Sequence, residues 1–216
     1  MNERIEKTLL ALKKNNMESY YCETGAKAKE LALSLIPDGS TVAIGGSVTV
    51  SSLGILDELR KGDYNFIDRH AAKTSEEQKE VFRKSFFADA YICSTNAITV
   101  SGELYNVDGV CNRVACMLYG PESVIIVSGV NKIVDNIDEA ALRVKAIAGP
   151  LNCKRLNKNT YCQKTGKCVA FSGGKENELT AACMSPDRIC RDYVVMAQQV
   201  QKGRVKVILV DEELGY

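Results

Sequence analysis

The sequence predicts an α/β fold: a mainly parallel sheet flanked by helices. Three observations lead there. Apolar, strand-sized runs recur at residues 41–44, 90–94, 123–128 and 204–210; segments of helical period stand between them; and one run meets a glycine turn and then a helix at Gly45-Gly46-Ser47. A crossover helix both connects parallel strands and covers a face of the sheet, so repeated alternation favours this architecture. Ligands in such sheets belong at the C-terminal ends of the strands.

The elements follow in order. Residues 2–16 carry Leu9, Leu10 and Leu12 on a helix-like period, and residues 25–36 form a second helix that Pro37-Asp38-Gly39 ends. After the strand at 41–44, the spacing of Val48, Ser51, Ser52, Ile55, Leu56 and Leu59 predicts a helix. A strand at 65–67 precedes a helix at 75–87 capped by Thr74 or Ser75, and residues 90–94 form the next strand. Residues 103–106 continue the alternation, followed by a helix at 112–118, the strand at 123–128 and a helix at 137–148 that Gly149-Pro150 closes. Residues 151–192 are irregular and cysteine-rich, and residues 204–210 read as a closing strand entering a core. One domain spanning 1–216 with a cysteine-rich C-terminal appendage is the expected organisation, without internal repeats or low-complexity tracts.

Composition narrows the function. The 216 residues hold 28 Lys+Arg against 27 Asp+Glu, a formal net charge of +1, with 45% hydrophobic residues. Near-neutrality disfavours general attraction to nucleic acid or to an anionic membrane, which needs a basic excess. The charged start at Asn2-Glu3-Arg4 resembles no export signal, and no apolar run approaches the roughly 20 residues that span a bilayer, so no membrane insertion and a cytoplasmic location are expected. Nine cysteines beside a single histidine, His70, are the anomaly. In a reducing compartment, clustered thiols point to metal ligands or redox centres more than to disulfides.

Five of the nine cysteines, Cys153, Cys162, Cys168, Cys183 and Cys190, fall within 38 residues at spacings of x8, x5, x14 and x6. Residues 152–175 also carry six basic side chains and no acid. A local charge of that sign suits four thiolates around Zn²⁺ or a [4Fe–4S] core, whose net charge is near −2. The absence of a short Cys-x-x-Cys knuckle tilts the choice toward iron–sulfur, with zinc as the alternative. Cys162, Cys168, Cys183 and Cys190 flank turn-like segments and are the expected ligands, which leaves Cys153 spare. Cys22, Cys93, Cys111 and Cys116 are dispersed.

A second site is expected at the strand ends. Gly45, Gly46 and Ser47 end a strand and open a helix, where backbone N–H groups suit a phosphate or carboxylate. Asn96, Asn106, Asp108, Arg113 and Lys132 follow other strands. In this arrangement Arg113 and Lys132 supply positive charge, Asn96 and Asn106 orient an acidic ligand, and Asp108 or Glu103 is the available general base.

These residues carry a resemblance. Val42-Ala43-Ile44-Gly45-Gly46-Ser47, the stretches 94–99 and 102–109, Asn112-Arg113-Val114, Tyr119-Gly120-Pro121, residues 129–133 and the closing residues 210–216 resemble the LUD-domain family of lactate utilization proteins, in particular a branch with a cysteine-bearing C-terminal segment. The resemblance implies the fold of sugar-phosphate isomerases and CoA transferases. It also implies a link to the oxidation of L-lactate to pyruvate beside iron–sulfur partner proteins. The branch's cysteine pattern maps onto Cys162, Cys168, Cys183 and Cys190. Two departures stand out: residues 169–182 separate the second and third cysteines where the branch has a short knuckle, and Val110-Cys111 stands where relatives carry a glycine before Asn112-Arg113. The expected partners are a small anionic metabolite, iron–sulfur redox proteins and a second copy of the chain. The competing expectations are a sugar-phosphate isomerase or acyl/CoA-transfer enzyme on the same scaffold, and a non-catalytic ligand sensor.

Overall fold

The computed structural model describes all 216 residues. Ten strands occur along the chain: β1 (Glu18–Cys22), β2 (Thr41–Ile44), β3 (Asn65–Ile67), β4 (Ala90–Cys93), β5 (Ala97–Thr99), β6 (Leu104–Asp108), β7 (Ser123–Gly129), β8 (Ile133–Val134), β9 (Asp192–Met196) and β10 (Val205–Val210). The helices are α1 (Glu3–Lys14), α2 (Gly25–Ser34), α3 (Val48–Ser52), α4 (Ile55–Lys61), α5 (Ser75–Ser85), α6 (Asn112–Leu118), α7 (Ile137–Arg143), α8 (Gly149–Arg155), α9 (Tyr161–Thr165) and α10 (Val169–Ser172). Side chains cap several starts: Asn2 accepts from the Ile5 N–H, Thr24 from Lys27 and Asn136 from Glu139, while Thr74 and Glu77 form a reciprocal capping box.

The main sheet has the order β1-β10-β7-β4-β2-β3, and every pairing in it is parallel. Side chains alternate across it with period two. Ala43, Tyr91, Cys93, Val124, Ile126, Val207 and Leu209 face one core, shared with Ile5, Leu9 and Leu12 of α1 and Val114 and Met117 of α6. Val42, Ile44, Ala90, Ile92, Ile125, Val127, Ile208 and Val210 face the other, shared with Ala28 and Ala32 of α2 and Ile55 and Leu59 of α4. Near-continuous apolar runs are what a sheet buried on both faces requires.

A second sheet, β8-β5-β6-β9, combines one parallel and two antiparallel pairings and packs with α7 around a smaller core that includes Tyr105, Val134 and Ala140. Its strands were not separable in the sequence, because β5 and β8 span only three and two residues. The closing strand at 204–210 takes its place between β1 and β7, inside the main sheet. Two expected helix boundaries move. Gly54, at φ +70°, divides the predicted helix after Val48 into α3 and α4, a left-handed conformation that glycine adopts without a Cβ penalty. The helix expected to stop at Gly149-Pro150 instead runs through a π-turn at Val144–Ala148 into α8. The wider turn accepts Pro150 at the first turn of α8, where its missing N–H costs little, and Gly149 lets the backbone pass the Val144 carbonyl. No helix is long and apolar enough to cross a membrane.

Ile126 lies in β7 between β4 and β10 and is fully buried. Ile126→Ala should lower unfolding free energy in a urea titration by about 2–5 kcal/mol. A loss below about 0.5 kcal/mol would contradict this account of the core.

Candidate functional site

The C-terminal ends of the parallel strands meet at a cavity of about 270 Å³. Gly46 and Ser47 reach it from the end of β2, Arg69 from beyond β3, Ser94 to Asn96 from β4, Lys132 from the turn after β7, and Asp108 from the end of β6. Ser47 caps α3 by accepting the Val50 N–H at 3.2 Å. Gly45 lies just behind the wall, where a Cβ would stand 3.0 Å from the Cys93 Cβ and the Tyr91 hydroxyl and 3.2 Å from the Arg113 Cγ. Glycine at this position lets the arginine stem and the strand turn share one space.

Arg113 is buried at the start of α6, and its guanidinium is fully engaged. Nε donates to Asp108 Oδ2 at 3.2 Å; one terminal nitrogen donates to the Ser94 carbonyl at 2.8 Å and Asn106 Oδ1 at 2.7 Å; the other donates to Asn96 Oδ1 at 2.9 Å and the Val107 carbonyl at 3.1 Å. Five N–H groups thus meet five acceptors, which is the whole donor capacity of the side chain. Asn96 Oδ1 also accepts the Val107 N–H at 2.9 Å, so the oxygens of both asparagines hold the arginine, while Asn96 itself lines the cavity. Arg113 and Asn96 line the cavity as well as holding the strand ends together; Asn106 is the correction, because it lies behind the wall and does not line the cavity.

Lys132 is the unusual group. It is 2% exposed and lines the cavity. Its Nζ donates to Thr49 Oγ1 at 2.9 Å, to Ser94 Oγ at 3.1 Å and, at 3.4 Å, to the Thr95 carbonyl. Thr49 in turn donates to the Leu214 carbonyl at 3.1 Å, which leaves its lone pairs for the amine. No carboxylate pairs with Lys132. Burial, reinforced by the positive charges of Arg143 and Arg113, brings its pKa down to about 7.

Three further cations reach the cavity that sequence reasoning did not place there: Arg69, Arg155 and Lys158. Arg69 stacks over Phe82 with its guanidinium carbon 5.3 Å from the ring centre, and it runs so close to Gly46 that a Cβ there would lie 2.9 Å from a guanidinium nitrogen. Arg155 donates to Asn152 Oδ1 at 2.7 Å and to the Tyr216 hydroxyl at 2.9 Å, which draws the closing tail onto the rim. Its position after a strand was the available signal for Arg69. Arg155 and Lys158 were visible only as part of the basic stretch around the cysteines. Against five cationic side chains, Asp108 is the one carboxylate on the wall. Its Oδ1 accepts the Gly109 N–H at 2.9 Å and its Oδ2 takes Arg113.

Glu103 is not brought to the site. It belongs to the β5–β6 hairpin turn, bonded to the Thr99 hydroxyl, and that turn packs on α1, where Asn15 donates to the Ser101 and Gly102 carbonyls at 3.0 Å. Cys111 occupies the left-handed region at φ +62°, the conformation in which a glycine would be unstrained.

The five clustered cysteines share one region. No group of three or more Cys, His, Asp or Glu side chains stands at metal-coordinating spacing in this arrangement. Burial raises the pKa of Cys168 and of Cys190, and nearby thiols add to it, Cys162 and Cys183 for Cys168, Cys168 and Cys183 for Cys190. The Cys153 thiol beside Cys162, aided by the Thr160 hydroxyl 3.4 Å away, brings the Cys162 pKa down to about 6, and the same proximity pushes Cys153 up. Cys168 is buried at the start of α10. Cys183 and Cys190 lie on an irregular segment held by Arg188, which donates to the Cys190 carbonyl at 2.6 Å and the Cys183 carbonyl at 3.4 Å. This segment forms one wall of the cavity through Ile189 and Cys190.

The LUD domain family profile matches residues 5–210. A DUF162 family protein from Deinococcus radiodurans, known from its crystal structure, superposes with a TM-score of 0.53 at 12% identity over 96% of each chain, a likeness of fold. Ribose 5-phosphate isomerase A from Neisseria gonorrhoeae aligns with a TM-score of 0.34 at 12% identity, over 52% of this chain and 54% of its own. The enzyme from Methanocaldococcus jannaschii gives 0.35 at 15% identity, over 53% and 55%. No curated protein matches the sequence.

Burial of Lys132 sets a pH dependence. The folded amine titrates near 7 and the unfolded one near about 10.4, so between these values the folded state holds fewer protons. Stability then rises with pH across that window, by up to about 1.4 kcal/mol per unit, and the full penalty of the buried charge is present below it. Urea titrations at about pH 7 and about pH 9 should show this rise in the native chain and its loss in Lys132→Met. Equal pH dependence in the two would refute it.

Proposed function

We propose, since the chain belongs to the LUD domain family and is a protein of the lactate-utilization type, that its cavity binds a small organic acid of the lactate and pyruvate class. The observation that carries this reading is the charge of the wall. Arg69, Arg113, Lys132, Arg155 and Lys158 surround about 270 Å³ that contains one carboxylate, Asp108. Cationic groups at a partly desolvated, concave site favour an anion more strongly than exposed ones do. Arg113 contributes field and shape, because its N–H groups are occupied, while Arg69 and Lys158 have no acidic partner within ion-pair distance and are the groups that meet the carboxylate.

The reaction this binding serves is the two-electron oxidation of L-lactate to pyruvate, with the electrons accepted by a separate redox protein. This chain's own residues hold and orient the acid, and Asp108 is the group positioned to take a proton from it. No step is assigned to a metal in the cysteine segment. A sugar-phosphate isomerase or acyl-transfer activity is the second reading. Asp108 favours it as the one available base, and it would replace the first if phosphorylated sugars bind and turn over while lactate does not bind.

Calorimetric titration tests the first reading. L-lactate and pyruvate should bind with affinity that falls as salt is raised, and lactamide, the neutral counterpart of lactate, should not bind. Arg69→Gln and Lys158→Gln should each weaken binding about tenfold, equivalent to about 1.4 kcal/mol. Equal binding of lactate and lactamide would overturn the proposal.

A further inference from the structure

The proposed anion site does not use the most distinctive property of Lys132, which is that every partner of its amine is a neutral oxygen. A charged ammonium has three N–H donors and no lone pair, whereas a neutral amine has two N–H donors and one lone pair. Two acceptors lie at good hydrogen-bond distance, Thr49 Oγ1 at 2.9 Å and Ser94 Oγ at 3.1 Å; the third, the Thr95 carbonyl, is at 3.4 Å. The two short bonds match the two donors of a neutral amine, and the Thr95 carbonyl, the weakest of the three acceptors, is the one given up on deprotonation, while Lys132 itself lines the cavity. Arg143 acts in the same direction. It is buried nearby, donating to the Asn96 carbonyl at 2.8 Å and the Asn131 carbonyl at 3.3 Å, and places a permanent charge close to the lysine. A desolvated lysine beside other cations is the arrangement that makes an amine nucleophilic.

We propose that Lys132 is a covalent carbonyl-binding residue that forms an imine with 2-oxo acids held in this cavity. The inference rests on the acid-binding reading above and narrows its ligand class to acids with a carbonyl next to the carboxylate. The carboxylate meets Arg69 and Lys158, and the adjacent carbonyl carbon meets the Lys132 Nζ. The nitrogen lone pair forms the N–C bond as the carbonyl π pair moves to oxygen, and a proton from nitrogen completes a carbinolamine. The nitrogen then forms C=N as the C–O bond breaks, and the oxygen leaves as water with the second amine hydrogen. No oxidant or reductant is required. Asp108, the one carboxylate on the wall, is the group available to carry these protons.

The test uses the full chain with pyruvate as probe, borohydride to reduce any imine to a stable amine, and peptide mass mapping. One reduced pyruvyl adduct is expected, on Lys132. It should be absent when L-lactate replaces pyruvate, decline several-fold when excess L-lactate competes, and disappear in Lys132→Met. No adduct, or adducts distributed over the exposed lysines as in the denatured chain, overturns the proposal; this map of the native chain decides the matter even if Lys132→Met fails to fold. Calorimetry separates the two levels of argument. If L-lactate binds but pyruvate leaves no adduct, imine formation is wrong and the acid site stands. If neither acid binds, the acid site is wrong and imine formation falls with it.

Discussion

The Arg113 guanidinium joins the two sheets at the edge of the cavity. Its partners come from the chain after β4, at Ser94 and Asn96, and from β6, at Asn106, Val107 and Asp108, so one planar group fixes how the end of the main sheet meets the second sheet. Removing it would leave several buried acceptors and a carboxylate without partners, which is more costly than the net value of any one of the bonds. The requirement extends outward. A Cβ at Gly45 would press on the arginine stem, Cys93 and Tyr91, which would have to shift to admit it.

Because Arg113 is saturated, contact with a ligand passes to the other cations, and they differ in kind. Arg69 and Lys158 are half-buried, while Lys132 is enclosed and bonded only to hydroxyls and a carbonyl. The closing tail completes that enclosure. The Thr49 hydroxyl reaches the Leu214 carbonyl, and Asn131 Oδ1 accepts the Leu214 N–H at 3.2 Å, so a lysine after β7, a threonine in α3 and the end of the chain are held as one unit. Binding an anion and reacting with a carbonyl are two uses of the same desolvated amine, in its charged and neutral forms.

Much of this was legible in the sequence, and what was missed has physical causes. Strands buried on both faces announce themselves as apolar runs, and β2, β4, β7 and β10 were found this way. β1 was missed because Glu18-Ser19-Tyr20-Tyr21-Cys22 is a polar edge strand, and β9 because Asp192 and Val195 are exposed at the edge of the second sheet. Strand ends pointed to Gly46, Ser47, Asp108 and Lys132 as cavity residues. They did not show that Arg113, which borders the cavity, is saturated by Asp108, Asn106 and Asn96, because hydrogen-bond partners are not written in residue order. The six basic residues of 152–175 adjoin the thiols in sequence, yet Arg155 and Lys158 reach the cavity. A sequence shows that charge is concentrated; it does not show which of two neighbouring features the charge serves.

The central claim is that the cavity lowers the charge of the buried Lys132 amine and that an entering acid restores it. Calorimetric titration with L-lactate at about pH 8 in buffers of different ionisation enthalpy counts the protons exchanged on binding. Net uptake of a substantial fraction of one proton, abolished in Lys132→Met, is the predicted result: an amine with pKa about 7 gains charge when a carboxylate comes beside it. A binding enthalpy independent of the buffer would contradict the claim.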